Sequence, residues 1–327
     1  MEDRDKVIGK LRKRINPGYT VYDKISVIVP VYGQFNIDRV KMSLASILAQ
    51  RDVEMEIVLA EQLDYTNIEF SRIDPRIRHI HIPKKDLVDE KYFVPGRIRN
   101  FATRASNGEF IYNNDGDMLF QNPAFLRKSL DLINSGEDIV LYRPPIRRLP
   151  IENFEEFRSV FDYSGLELAL SFLDRSKPYV ATTQSNPIRM GVFRKNESGR
   201  EKVFLYTETD HKRYREDTSN QGKEPMFSTL DTHAGGILMK RSQFDLVGGY
   251  CELYAAWGCY DADLQWKLRE LFGLHQFPNF PEFEVLHLDH ERGYFSQERW
   301  IKNRETQNRR RLQGVLKSIE DDLDESS

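Results

Sequence analysis

The segment YNNDGDMLF (112–120) sets Asp115 and Asp117 two residues apart, just beyond the apolar run EFIY (109–112). Carboxylates that close repel by roughly 1 to 4 kcal/mol at surface-like effective dielectrics. A divalent cation would offset that repulsion, and carboxylate oxygens suit Mg²⁺ or Mn²⁺. In an extended segment both side chains point to one side, because the strand repeat is two residues. The competing reading is a turn, since NNDGD is also ordinary Asn/Asp/Gly turn sequence. Placement after a buried strand favours the metal. Far along the chain, FEVLHLDH (283–290) is an apolar strand ending in His287, Asp289 and His290. Neutral imidazole is a good Mn²⁺ donor, so either histidine is a candidate third ligand. A pyrophosphate group would complete such a shell. A further pair, Asp261 and Asp263 in WGCYDADL (257–264), opens a helical pattern, where Asp also serves as a cap.

These residues must be positioned by the elements around them. KISVIVPVY (24–32) is a near-continuous apolar run, as in a strand buried on both faces. Val40, Leu44, Ile47 and Leu48 then recur at helical spacing, with Asp38 near the start. MEIVLA (55–60) and IRHIHI (77–82) read as strands. GRIRNFATRASNG places Ile98, Phe101, Ala102 and Ala105 on one helical face and is expected to stop at Gly108. EFIY is the next strand. Strands separated by helices predict an α/β architecture with a mostly parallel sheet. Ligands bind such sheets outside the carboxyl ends of the strands, so the segments after Val29, Ala60 and Tyr112 should line one crevice.

The second half is less regular. DIVLY (138–142) reads as a strand and 151–173 as largely helical. The polar, breaker-rich stretch 207–225 reads as a mobile loop. A helix follows at DADLQWKLRELFG, with Leu264, Leu268, Leu271 and Phe272 on one face. From SQERW onward the pattern is a charge-laced helix fading into an acidic tail. Neither GxxxxGK[ST] nor GxGxxG occurs, which removes the phosphate-loop and Rossmann fingerprints.

Composition narrows the function classes. With 39% hydrophobic and 12% aromatic residues over 327 positions, the chain can bury a sizeable core. Its 48 basic and 51 acidic side chains nearly cancel, and a net charge of −3 gives no general pull toward nucleic acid or an anionic membrane. Cys251 and Cys259 lack metal-like spacing and fit a reducing compartment as small buried hydrophobes. The amino-terminal stretch has no apolar core for a signal peptide, and no run approaches 18 apolar residues. The expectation is a soluble, cytoplasmic protein.

SVIVPVY, then EIVLAEQ, then GRIRNFATRASNGEFIYNNDGDMLF together resemble the nucleotide-binding half of family-2-like inverting glycosyltransferases of the GT-A fold. HAGGILMKRSQFDLVGGYCELYAAWGCYDADLQWKLRE resembles the carboxy-terminal module of β-1,4-galactosyltransferases and polypeptide N-acetylgalactosaminyltransferases. The two stretches cover about two-thirds of the chain. The resemblance implies one GT-A domain over 24–295, with a nucleotide-binding half (24–142) and an acceptor half (143–295). A basic extension (1–23) and a charged helix and tail (296–327) flank it.

Carried over residue by residue, the resemblance assigns roles. Pro30, Val31 and Tyr32 form the wall against the base, and Glu61 stands where the family more often has the Asp that approaches uracil or ribose. Arg97 and Asn100 match an Arg/Asn pair facing the nucleotide and its diphosphate. Asp115 faces ribose and metal, and Asp117 is the direct metal ligand. His287 aligns best with the metal histidine, with His290 as the alternative. In WGCYDADL, Cys259 and Tyr260 replace the second Gly and the Glu of the family's Trp-Gly-Gly-Glu-Asp, and Asp261 keeps the position of the catalytic base. Trp257 offers a face to a sugar ring, and Gly235 and Gly236 allow close approach of the donor sugar. The implied activity is Mn²⁺- or Mg²⁺-dependent transfer from a UDP-sugar to a glycan, lipid-linked or protein acceptor, with 207–225 as a lid. No nucleic-acid partner and no transmembrane segment are implied; peripheral membrane contact fits a lipid-linked acceptor. Two other readings stand beside it. One is a GT-A-like module that binds without transfer. The other is a sugar-phosphate nucleotidyltransferase, which typically carries a Gly-rich start loop absent here. The N-acetylgalactosaminyltransferases retain configuration, so stereochemistry stays open.

Overall fold

The computed structural model describes residues 4–13, 22–32, 37–62, 69–82, 92–136, 138–149, 151–161, 190–195, 201–206, 227–228, 231–278, 280–291 and 296–325. In chain order these form α1 (Arg4–Arg12), β1 (Tyr22–Val31), α2 (Ile37–Leu48), β2 (Met55–Gln62), β3 (Ile77–Ile82), α3 (Pro95–Ala105) and β4 (Gly108–Asn113). There follow β5 (Met118–Phe120), α4 (Phe125–Ile133), β6 (Ile139–Tyr142), β7 (Pro145–Leu149), α5 (Phe154–Val160), β8 (Met190–Lys195), β9 (Glu201–Tyr206), β10 (Phe227–Ser228) and β11 (Asp231–Thr232). The last elements are β12 (Ile237–Lys240), α6 (Arg241–Leu246), α7 (Tyr260–Leu271), β13 (Gly273–Gln276), β14 (Val285–Leu288), α8 (Gln297–Gln313) and α9 (Val315–Glu325).

A seven-stranded sheet in the order β13-β6-β12-β4-β1-β2-β3 forms the centre. Its pairings are parallel except those of β12, which runs antiparallel to β4 and β6. This is the expected α/β class: a mixed, mostly parallel sheet flanked by helices. Strand β1 shows why its apolar run is continuous. Ile25, Val27, Val29 and Val31 enter one core with α2 residues Val40, Leu44 and Ile47. Ile28 enters a second core on the other face with Ile98, Ala102, Leu264 and Leu268. Burial on both faces removes the polar half of the usual alternation. A second, four-stranded sheet, β11-β7-β14-β5, stands beside the first. Its antiparallel β14–β5 pairing sets His287 opposite Met118, one residue after Asp117.

Several local expectations are corrected. Helix α3 ends at Ala105, with the Ser106 N–H bonded to Ala102 O at 3.0 Å, so Gly108 is not its stop. Gly108 is instead a β4 residue, and a Cβ there would lie 2.5 Å from Ser26 Oγ. The acidic tail does not fade out. Gly314, at φ +93°, breaks the chain between α8 and α9, and α9 buries Ile319 and Asp322. Likewise α1 in the basic extension buries Val7, Ile8 and Leu11 in the second core. Of the expected helix over 151–173, a 3-10 turn at Ile151–Asn153 and α5 are described; residues 162–173 and the loop 207–225 lie outside the described residues.

Candidate active site

Asp115 and Asp117 are not in an extended segment. The Met118 N–H reaches Asp115 O at 3.2 Å and closes a turn. The turn sends the two carboxylates to different partners, which corrects the same-side geometry expected of a strand.

Asp117 Oδ2 lies 2.8 Å from His290 Nε2 and 3.4 Å from His287 Nε2. One donor atom from each of these three residues falls within 4.8 Å of the others. Both imidazoles are held from behind. His287 Nδ1 is 2.5 Å from Asp289 Oδ1, and that carboxylate also accepts from Arg148 Nη1 at 2.7 Å. His290 Nδ1 lies 2.7 Å from the Glu291 carbonyl. A carboxylate or carbonyl behind one ring nitrogen fixes the tautomer and aims the other nitrogen, as in metal-binding histidines. Asp117 Oδ1 is buried without a hydrogen-bond partner. A buried carboxylate oxygen left without a donor is costly, and a cation would satisfy it. The three residues therefore fit a divalent ion, with both histidines rather than one in the set. Burial pushes the Asp117 carboxyl up, but the two histidines outweigh it and hold it well below the usual carboxylate range. The same contact overcomes burial at His287 and lifts it to about 9.

Asp115 is held elsewhere. Arg99 Nη2 donates to Asp115 Oδ1, and His233 Nε2 is 2.8 Å from Oδ2. Partial withdrawal from water raises the Asp115 pKa, but Arg99 and His233 prevail and leave it lowered. Arg99 is only 1% exposed, and its Nη1 stands 3.7 Å from Asp261 Oδ1. The guanidinium also lies over the rings of Tyr250 and Tyr260, at 5.4 and 5.5 Å from their centroids. Such cation–π contacts strengthen where water is excluded.

Asp261 sits in the first turn of α7, after two residues at positive φ, Gly258 and Cys259. No side-chain cap bond is made by Cys259 at the helix start. The Tyr250 hydroxyl donates to Asp261 Oδ1 over a long 3.4 Å and lies 3.1 Å from Asn113 Nδ2. Burial pushes the Asp261 carboxyl up to about 6, against the opposing pull of Arg99. Asp263 faces the other way, buried against Arg310 at 3.0 Å from both carboxylate oxygens.

The other expected residues divide between the crevice and its supports. Pro30 and Val31 are buried at the end of β1, and Tyr32 stacks on Phe93 at 5.1 Å. Arg97 Nε pairs with Glu252 at 3.3 Å. Asn100 commits its amide to Tyr250 N and O, each at 2.8 Å, and so ties α3 to the loop before α7. Glu61 is fully buried and turns toward His79 of β3, 3.1 Å away. A Cβ on Gly235 would lie 3.0 to 3.3 Å from His233, Arg99 and Asp115; one on Gly236 would meet Pro144 at 2.6 Å. Trp257 is 37% exposed, and Asn303 of α8 braces the loop beneath it by donating to Ala255 O at 2.8 Å.

Sequence reading missed Arg99, His233, Tyr250 and Arg148. Arg99 alone carried a signal. Pro95, Ile98, Arg99 and Ala102 follow the inward i, i+3, i+4, i+7 spacing of an amphipathic helix.

No family model matches the chain, and no curated protein matches it. Solved structures do. A fragment of S. aureus TarS in complex with UDP is 14% identical over 86% of this chain and 63% of that one, with a TM-score of 0.48. The mannosyltransferase PcManGT from Pyrobaculum calidifontis, in complex with GDP-Man and Mn²⁺, is 13% identical over 93% and 69%, with a TM-score of 0.45. The catalytic domain of Drosophila β1,4-galactosyltransferase 7 is 11% identical over 86% and 80%, with a TM-score of 0.41. The chain thus spans less than two-thirds of the TarS fragment.

Proposed function

We propose that this chain is a metal-dependent glycosyltransferase of the GT-A class that takes a UDP-sugar donor and inverts the anomeric centre. One observation carries the reading. A pre-aimed Asp117–His287–His290 set, with a buried unpartnered oxygen, lies two residues from Asp115, which Arg99 links to Asp261.

Mn²⁺ or Mg²⁺ held by Asp117, His287 and His290 would supply charge stabilisation to a departing diphosphate. Pro30, Val31 and Tyr32 offer the apolar wall for the base. Asp115, fixed on two sides, stands where it can accept from the ribose hydroxyls, and Arg97 flanks the diphosphate. Glycines 235 and 236 keep side-chain bulk away from the donor sugar. Asp261 takes the proton of the acceptor hydroxyl as that oxygen bonds to the anomeric carbon. The bond from that carbon to the diphosphate oxygen breaks, its electron pair leaving with UDP. A carboxyl near pKa 6 is mostly ionised at neutral pH yet basic enough to take a proton. The acceptor is a glycan, a lipid-linked sugar or a protein hydroxyl. Leu253, Trp257, Trp300 and Ile301 are large exposed apolar side chains on α8 and the loop before α7, suited to sugar faces.

The test is incubation with a panel of UDP-sugars, Mn²⁺ and acceptors, reading product and UDP release. Transfer with product inversion, seen by NMR, supports the proposal. Absence of both transfer and UDP release across the panel favours a binding module and overturns it.

A further inference from the structure

A second cluster of metal-ligating side chains stands apart from Asp117, at the carboxyl ends of β2 and β3. We propose that Glu61, His79 and His81 form a zinc-class cation site, going beyond the transferase reading.

The sheet builds the cluster by register. Glu61 pairs with His81, and Leu59 with His79, in the parallel β2–β3 ladder. Residues two apart on a strand share a face, so His79 and His81 point the same way as Glu61 across the ladder. That face is otherwise apolar: Ile57, Leu59 and Ile77 all belong to the first core. Its last two rungs, Leu59–His79 and Glu61–His81, place one carboxylate and two imidazoles at the end of this apolar face.

The spacing suits a tetrahedral ion. Zinc bonds of about 2.0–2.1 Å to nitrogen and oxygen imply ligand–ligand separations of about 3.3–3.4 Å. His79 Nε2 lies 3.1 Å from Glu61 Oε2 and His81 Nδ1 lies 3.8 Å from the same oxygen, bracketing that value. All three donors fall within 4.8 Å of one another. Two imidazoles and one carboxylate are a zinc donor set that leaves a fourth position for water. The shell is unequal in exposure. The Glu61 and His79 side chains are 0% and 2% exposed, and Phe70 meets the His79 ring edge-on at 5.3 Å. His81 is 45% exposed and gives the ion its entry path. Its ring lies 4.3 Å from that of His79, close enough to share one ion.

The site would brace the β2–β3 edge next to Val31, whose register partner is Glu61. It would also take the carboxylate that the family resemblance gives to the base, so the two roles exclude each other. The base would then meet only the apolar wall.

The experiment counts cobalt, a spectroscopic substitute for zinc, bound to untagged full-length protein. Asp117→Ala removes the first cation set, leaving one expected equivalent with the visible bands of tetrahedral Co²⁺. Adding His81→Ala should abolish both the bands and the equivalent. His81→Gln in the same background repeats the test should the alanine variant fold poorly, with metal-free far-UV circular dichroism as the control. No tetrahedral Co²⁺ in Asp117→Ala, or an equivalent that survives loss of His81 in a folded variant, overturns the proposal. The count does not depend on whether the protein transfers a sugar.

Discussion

Arg99 Nη1 stands 3.7 Å from Asp261 Oδ1, while Nη2 of the same guanidinium donates to Asp115. One fully buried cation thereby spaces a carboxylate at the end of β4 from another at the start of α7. The planar fork does this in a way that a point-charge ammonium cannot. Arg99→Lys should therefore lower kcat more than it raises KM, by on the order of 100-fold, the cost of a small misplacement near the reacting atoms. Arg99→Met would leave Asp261 without its guanidinium neighbour and Asp115 with His233 alone, and should destabilise the fold by about 3–5 kcal/mol in urea melts.

Asp261→Asn keeps the shape of the side chain and removes its basicity. Transfer should fall about 10²- to 10⁴-fold while UDP binding, followed by calorimetry, stays intact. Normal turnover in this variant would remove Asp261 as the base.

The pH profile follows from the same carboxyl. The base must be ionised to accept a proton, and burial places its pKa at about 6. The rate should fall as pH drops through about 6 and level off above it. In Tyr250→Phe, loss of the hydroxyl that donates to Asp261 removes a stabiliser of the carboxylate, so the acid limb should move upward.

Asp117→Ala should abolish Mn²⁺-dependent UDP binding. His287→Gln and His290→Gln should each weaken Mn²⁺ by at least the 10- to 100-fold that loss of a supporting partner costs. Equal effects at the two positions would match their shared approach to Asp117. A silent His290→Gln would reduce the set to Asp117 and His287.

The carboxy-terminal helices are held by a buried network. Arg310 bonds both Asp263 and Asp322, and Lys267 Nζ donates to Asp322 at 2.5 Å. Arg310→Ala should cost about 3–5 kcal/mol, because it removes the counter-charge of buried Asp263 and leaves buried Asp322 with Lys267 alone. Asp263 lies two residues from Asp261 on α7, so a folded Arg310→Lys protein should also lose activity. Chemical denaturation and initial rates on the same samples separate the two effects.

The sequence by itself determined the strand–helix alternation, because two-sided burial leaves continuous apolar runs that need no partner information to recognise. It also marked Asp117, His287 and His290 as candidates through the Asp-x-Asp pattern and the two histidines at a strand end, and Asp261 through the family resemblance. It did not determine how those groups are shared. Whether NNDGD is extended or a turn depends on the β5–β14 pairing that begins one residue later, a long-range contact invisible in local spacing. Arg97 and Arg99 have the same chemistry, and helical spacing puts only Arg99 on the inward face of α3; that its guanidinium meets Asp115 and Asp261 while Arg97 pairs with Glu252 is decided by tertiary packing. Asn100 matched a ligand-facing pattern, yet a backbone 150 residues away claims its amide. The acidic tail looked like solvated chain because charge content reports hydrophilicity, not pairing. Arg310 and Lys267 turn its Asp322 into a buried ion pair, and that exchange of water for counter-charge exists only once α7, α8 and α9 are brought together.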